Sequence, residues 1–223
     1  MKIWLPVVAA LALSSSALAE DPTKKTFTTD GVSNLSIETA AGDITIKAGP
    51  GRFEVTVNHY DAERCVLTML SKDGTLHLKA ESKPGRGVFD KGCEAGFSVT
   101  APAATRVTAD AGAGTIDFDG VVGEVHAATG AGSIRGTLES RLAELSTGAG
   151  SIGVTWNKTP KDGRIKADTG AGSVRLAFPA GTKLESDLET GIGSVLNELG
   201  ETKGAALKVK ASSGVGSVSI AKS

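Results

Sequence analysis

Gly148-Ala149-Gly150-Ser151-Ile152-Gly153 matches the G-x-G-x-x-G fingerprint of a dinucleotide-binding turn. That chemistry needs a helix directly after the glycines, so that its N-terminal amides face the pyrophosphate. Here Val154-Thr155-Trp156 follows and Pro160 comes soon after, and sister copies replace the third glycine by Arg135, Arg175 and Leu196. No helix is expected, and the match is read as accidental. The serine after the glycines suggests a nucleophile, but a hydrolase elbow is ordered G-x-S-x-G, and no histidine recurs beside the serine as its base. His59, His77 and His126 are the only histidines, and none sits in a metal-ligand motif. Asp117 and Asp119 in GAGTIDFDG occur once, whereas a calcium-binding β-roll repeats its aspartate in coil after coil. No catalytic, metal or cofactor-binding residue is assigned, and no cofactor is expected.

Cys65 and Cys93 are the two cysteines. In a small protein outside the cytoplasm such a pair most often forms a disulfide, and a loop of this length is worth about 3–4 kcal/mol when closed without strain. An oxidising compartment is suggested by the first residues. Lys2, an apolar run from Trp4 to Leu13 and Ala17-Leu18-Ala19 have the order of a secretory signal peptide. Cleavage is expected after Ala19. The apolar run is too short for a permanent span, so the reading is a periplasmic or secreted protein with no transmembrane segment. The formal net charge is −1, and no basic patch carries interleaved aromatics, which argues against nucleic acid as a partner.

The glycines gain meaning once the elements around them are considered. Doublets stand at Gly112/Gly114, Gly130/Gly132, Gly148/Gly150, Gly170/Gly172, Gly191/Gly193 and Gly214/Gly216, with steps of 18, 18, 22, 21 and 23 residues between the second members. A period near 20 signals stacked repeats. Before each doublet runs a pentad, as in VTADA (107–111), VHAAT (125–129) and IKADT (165–169), that alternates small or apolar with polar residues. That is a strand with one buried face. After each doublet comes Ser or Thr, then Ile116, Ile134, Ile152, Val174, Val195 or Val218, which opens a second short strand. Each repeat therefore reads strand, glycine corner, strand, loop. Glycine suits both the sharp bend and the close approach of stacked backbones. With the coils stacked in register, the glycines are expected to form one ladder, coil after coil.

The expected architecture is all-β: a single-stranded β-solenoid of about 18–23-residue coils over 107–223, in which one coil cannot bury its apolar face alone but the stack can. Residues 20–106 read as more irregular β-structure capping that stack, with a looser copy of the repeat pattern at 34–48 (LSIET, AAG, DITIK) and a hairpin turn at Asp73-Gly74. A sandwich would also alternate, but it would not repeat one corner six times. SVSIAKS (217–223) ends the chain with Lys222 as its one obvious guard, so the C-terminal coil is expected to be an open end that another chain could cover.

LSIETAAGDITI near the start, SVTAPAATRVTADAGAGTI in the middle and the repeated TGAGSI/TGAGSV resemble the bacterial putative-adhesin β-strand-repeat family, a domain of unknown function in secreted and envelope proteins. The resemblance spans about residues 27–220. It implies a β-solenoid-like domain outside the cytoplasm and no established catalytic residues.

The polar places of the pentads then become the candidate binding face. His126, Glu144, Lys166, Asp187 and Lys210 fall on one line, and Asp110, Asp168 and Glu189 on the next, with Arg135 and Arg175 on the other strand. The first functional reading is a non-enzymatic binding, adhesion-like or scaffolding surface whose partner is an envelope protein or polysaccharide. The second is an enzyme acting on an extended polysaccharide, which needs two facing carboxylates; Asp168 and Glu189, taken as neighbours on adjacent coils, are the one candidate pair. The third is a structural protein that self-associates end to end.

Overall fold

The computed structural model describes residues 24–27 by their backbone, and residues 31–84 and 92–223. The expected signal peptide and its cleavage site lie outside the described residues. Within them the chain forms strands and no helix, so no helix is long and apolar enough to cross a membrane. The first strands are β1 (Lys24–Phe27), β2 (Asn34–Ala41), β3 (Ile44–Gly49), β4 (Phe53–Asn58), β5 (Cys65–Lys72), β6 (Thr75–Ser82) and β7 (Gly96–Pro102). The repeats follow as β8 (Arg106–Ala113), β9 (Ile116–Val121), β10 (Val125–Ala131), β11 (Ile134–Leu138), β12 (Leu142–Ala149) and β13 (Ile152–Trp156). The last six are β14 (Gly163–Ala171), β15 (Val174–Phe178), β16 (Glu185–Ile192), β17 (Val195–Asn197), β18 (Leu207–Val215) and β19 (Val218–Lys222).

These strands make two large, mostly parallel sheets. Sheet I has nine strands in the order β16-β18-β14-β12-β10-β8-β2-β6-β5, and sheet II has ten in the order β1-β4-β7-β3-β9-β11-β13-β15-β19-β17. The sheets are not closed on each other. The pentads lie in sheet I and the strands after the glycines in sheet II, so from β8 onward the chain crosses from one sheet to the other at every corner. Equivalent residues lie side by side in consecutive layers: Ile44, Ile116, Ile134, Ile152, Val174 and Val218 form one column under sheet II. All six are fully buried. Each buried aliphatic contributes about 1.5–3 kcal/mol, and the column supplies them in series where one layer could not.

The corners show why the glycines are there. Gly132 has φ +152, and a Cβ on it would collide with the carbonyl of Gly114 in the layer below. The first glycine of the doublet is equally confined, since a Cβ on Gly130 would lie 2.6 Å from the carbonyl oxygen of Gly112. The backbone ladder continues through the bend, with Gly132 N–H donating to Ala149 O at 2.9 Å and Ile134 N–H to Ser151 O at 3.0 Å. Inside the bend, buried Thr129, Thr147 and Thr169 donate their hydroxyls to the carbonyls of Gly114, Gly132 and Gly150 at 3.1, 2.9 and 2.9 Å. Away from the corners, Trp156 at the end of β13 stacks on Phe178 at the end of β15 with ring centroids 4.7 Å apart, and its Nε1–H donates to Ser140 O at 2.7 Å.

Two expectations change. Residues 20–106 do more than cap: β2 and β3 are full members of the stack, pairing in parallel with β8 and β9. The antiparallel strands β1, β4 and β5 lie beyond them, and β5 turns into β6 through Asp73 and Gly74, both at positive φ. Cys65 and Cys93 are disulfide-bonded at this end. The second change is at the C-terminus, where the last layer of the sequence is not the last layer of the stack. β18 lies between β14 and β16, and β19 between β15 and β17. The open end is therefore formed by β16 and β17, and the terminal segment 217–223 is held inside.

The glycine ladder is corrected with it. Gly172, Gly193 and Gly216 are corners as expected, but they do not stack in sequence order: the ladder runs Gly172, Gly216, Gly193. A Cβ on Gly216 would meet the carbonyl of Gly172, and a Cβ on Gly193 would meet the carbonyl of Gly216. The amides agree, with Gly172 N–H donating to Val215 O at 2.9 Å and Gly216 N–H to Ile192 O at 2.8 Å. The first glycines follow suit, Gly214 packing on Gly170 and Gly191 on Gly214, just as Gly148 packs on Gly130. The physical reason is that every corner has the same shape, so the shape cannot dictate which copy sits on which.

Candidate binding face

The outer face of sheet I gathers the polar places of the pentads into rows that cross the strands. One row reads Asp187, Lys210, Lys166, Glu144 and His126. All five fall on one line as their spacing predicts, except that Lys210 stands between Asp187 and Lys166. Lys210 holds Asp187 at 2.7 Å, Lys166 holds Glu144 at 2.9 Å, and Glu144 lies 3.5 Å from His126 Nδ1. His126 Nε2 is 2.9 Å from Glu124, which also takes Arg106 at 2.9 Å. The charges tune one another. The hydrogen bond from Lys166 holds Glu144 below the usual carboxylate range, and the hydrogen bond from His126 does the same for Glu124. Lys166 and Lys210 are held above the usual lysine value, chiefly by their hydrogen bonds to Glu144 and Asp187. These pairs lie largely in solvent, where screening makes them weak, so the row is a fixed pattern of charge, with Lys210 and Lys166 side by side, more than a source of stability.

The next row reads Glu189, Ser212, Asp168, Ser146, Ala128, Asp110, Glu38 and Lys79. Asp168 and Glu189 are thus not on adjacent layers, because Ser212 of the inserted strand separates them. Ser212 donates its hydroxyl to Asp168 at 2.6 Å, and Lys166 lies 3.2 Å from the same carboxylate. The pair does not face itself across a cleft. At the other end of the row is a shallow groove of about 870 Å³, with Ala40, Gly112, Ala128 and Gly130 along its floor and Glu38, Lys79, Glu81 and Asp110 around it. Lys79 bridges Glu81 and Glu38 at 3.0 and 3.1 Å, and these two hydrogen bonds raise its pKa. Asp110 has no ion-pair or hydrogen-bond partner among the described residues; partial desolvation, then repulsion from Glu38, raises its pKa. Glu38 and Lys79 are absent from the rows read off the repeats. Glu38 was within reach, because LSIET aligns with VTADA and puts Glu38 beside Asp110.

The serines after the glycines line the corner. The amides of Ser173 and Ser217 donate to the hydroxyls of Ser151 and Ser173, each at 3.2 Å, and Ser194 and Ser217 share a bond of 3.0 Å. At the N-terminal side Asp43 takes over, accepting from the Thr115 amide at 2.7 Å. These hydroxyls are occupied in joining layers. On sheet II, Arg135 pairs with Asp117 at 2.8 Å, and Arg175 lies between Gly153 and Ser219.

No family model and no curated protein sequence matches the chain. Among solved structures, the chain is similar to a putative cell adhesion protein from Clostridium sporogenes, at a TM-score of 0.53 and 11% identity over 91% of this chain and 100% of that one. A putative adhesin from Bacteroides fragilis aligns at a TM-score of 0.47 and 12% identity over 90% of this chain and 96% of that one. At 11% identity the likeness to the first of these is one of fold.

Proposed function

We propose that the protein is a non-enzymatic β-solenoid of the periplasm or cell exterior, and that the outer face of sheet I is an adhesion-like or scaffolding surface for an envelope protein or polysaccharide. The observation that carries this reading is the charged lattice itself. Side chains of fixed sign stand in rows across strands about 4.8 Å apart, on a face that spans nine strands. Such a surface can be matched over its length by a partner with its own repeat, many weak contacts adding where one would not hold. The disulfide supports an oxidising compartment, and the fold shared with a protein described as a putative cell adhesion protein is in keeping with that role. Immobilised protein challenged with envelope extract is expected to retain a partner that the Lys166→Glu/Lys210→Glu double variant loses. Retention of the same partners by both proteins would overturn the assignment of this face.

A further inference from the structure

A chain end that lies on the edge of a sheet can fray by breaking one ladder of hydrogen bonds. The C-terminus of this chain has no such route. β18 is paired with β14 on one side and β16 on the other, and β19 with β15 and β17. Leu207, Val209, Val218 and Ile220 are buried. Even Ser223, the last residue, donates its amide to Phe178 O at 2.9 Å. The layer that covers these strands, β16–β17, is not a chain end. It is tethered on both sides, by 179–184 and by 198–206.

The second tether is bound down by side chains. Ser186 and Asn197 stand in columns held elsewhere by Val209 and Ile165, and by Ile220 and Leu176, so two polar groups replace apolar ones in the outermost layer. Asn197 Nδ2 donates to Ser186 Oγ at 3.2 Å and to Gly200 O at 3.1 Å, while its Oδ1 accepts from the amides of Leu199 and Gly200 at 3.0 and 3.1 Å. Glu201 accepts from the Ser186 hydroxyl at 2.7 Å and from its amide at 3.1 Å. Thr202 N–H donates to Leu184 O at 2.9 Å, which joins one tether to the other. Glu185 accepts from the Gly204 amide at 2.6 Å and from Lys208 at 2.7 Å. Glu198 accepts from the Lys222 amide at 3.1 Å, and its own amide donates to Ile220 O at 3.0 Å. Thus β16 is tied to the tether, and the two are tied to β18 and β19 beneath.

We propose that β16–β17 and the 198–206 tether form a clasp over the chain's own C-terminal strands, and that the clasp must open before residues 207–223 can leave the stack. Withdrawing β18–β19 with the clasp shut breaks two ladders at once and strands backbone groups of both flanking layers in the gap. Opening the clasp first divides that cost into two steps, each breaking one ladder. The layers therefore come away in a fixed order, β16–β17 before β18–β19. The consequence is a C-terminus withheld from exopeptidases, whose access is set by how often the clasp opens.

The purified protein is incubated with a carboxypeptidase of broad specificity and followed by mass spectrometry. The wild type is expected to lose at most Lys222 and Ser223, which are exposed. An Asn197→Ala/Glu201→Ala double variant, which cuts the side-chain bonds of the tether, is expected to lose residues 218–223 about tenfold faster or more, as the removal of several hydrogen bonds implies. Lys158→Ala, which breaks an ion pair to Glu139 of 2.7 Å between connections of the middle layers, is expected to match the wild type. Hydrogen exchange separates a loosened clasp from a damaged fold. In the wild type the amides of β18 are expected to outlast those of β16, and in the double variant β16–β19 are expected to lose protection while β8–β13 keep it. A wild type trimmed past Ala221 as fast as the double variant, a double variant as resistant as the wild type, a Lys158→Ala variant as sensitive as the double variant, β18 amides that exchange before those of β16, or protection lost across β8–β13 as well overturns the proposal. The outer face of sheet I takes no part in these measurements, so its charge-reversal test stands apart from them.

Discussion

Gly150 and Gly153 are three residues apart in the same layer, yet a methyl group would meet opposite fates on them. On Gly150, at φ +145, it collides with the backbone of Gly132, whereas on Gly153 nothing lies within 4 Å. Gly150→Ala is expected to cost about 3 kcal/mol or more, combining left-handed backbone strain with overpacking against a carbonyl that cannot retreat. Gly153→Ala is expected to be neutral or stabilising by up to about 1 kcal/mol through the unfolded chain. Urea unfolding of the two variants checks both, and equal effects would contradict the corner geometry. Asp110 makes a prediction of opposite sign. Its pKa is raised by desolvation and by Glu38, so between the ordinary carboxylate value and its own the folded state binds more protons than the unfolded. Stability falls as pH rises through that window, and above it the charge is a standing penalty. Asp110→Asn should stabilise the fold at pH 7, by no more than about 0.5 kcal/mol given solvent screening. The difference should vanish near pH 3, and a variant that melts lower at pH 7 would refute it.

The elements were legible to different degrees, and the reason lies in what a repeat encodes. Pentad, doublet and following aliphatic each report a local requirement (alternation, bend, burial), so the corners and the column through Ile134, Ile152 and Val174 could be read directly. The order of the layers could not, because SDLET and VKASS satisfy the same local pattern and either could stack on IKADT. Gly193 and Gly216 likewise fit equally well above Gly172, and the chain places Gly216 there. The discriminating signal is the polar residue in an apolar column: Ser186 and Asn197 mark β16–β17 as terminal, while Val209 and Ile220 mark β18–β19 as interior. Missing that order also misplaced Asp168 beside Glu189. Because β18 and β19 are the only strands among the described residues that β16 and β17 pair with, deleting residues 207–223 should free both. Hydrogen exchange of the truncated chain is expected to show unprotected amides across 185–197 and an m-value reduced by the loss of two layers. Persistent protection of β16 would contradict the insertion.

At the scale of the molecule, the two faces and the two ends have separate tasks. The core, the corner serines and the inner threonines are consumed in holding layers together, which leaves the outer lattice of sheet I free to vary in charge without disturbing the fold. One end is closed by antiparallel strands and pinned by Cys65–Cys93, and the other is left partly bare. Disulfide loss, in a Cys65→Ala/Cys93→Ala pair, is expected to lower stability by about 2–4 kcal/mol without altering the outer rows, as unchanged binding in the envelope-extract assay would show. The insertion of β18–β19 also governs how the molecule can be made. A chain that leaves the ribosome N-terminus first has β16 and β17 in hand before the strands that must seat beneath them exist. They reach their final neighbours only after residues 207–222 have followed them, so the last step of assembly awaits β18 and β19.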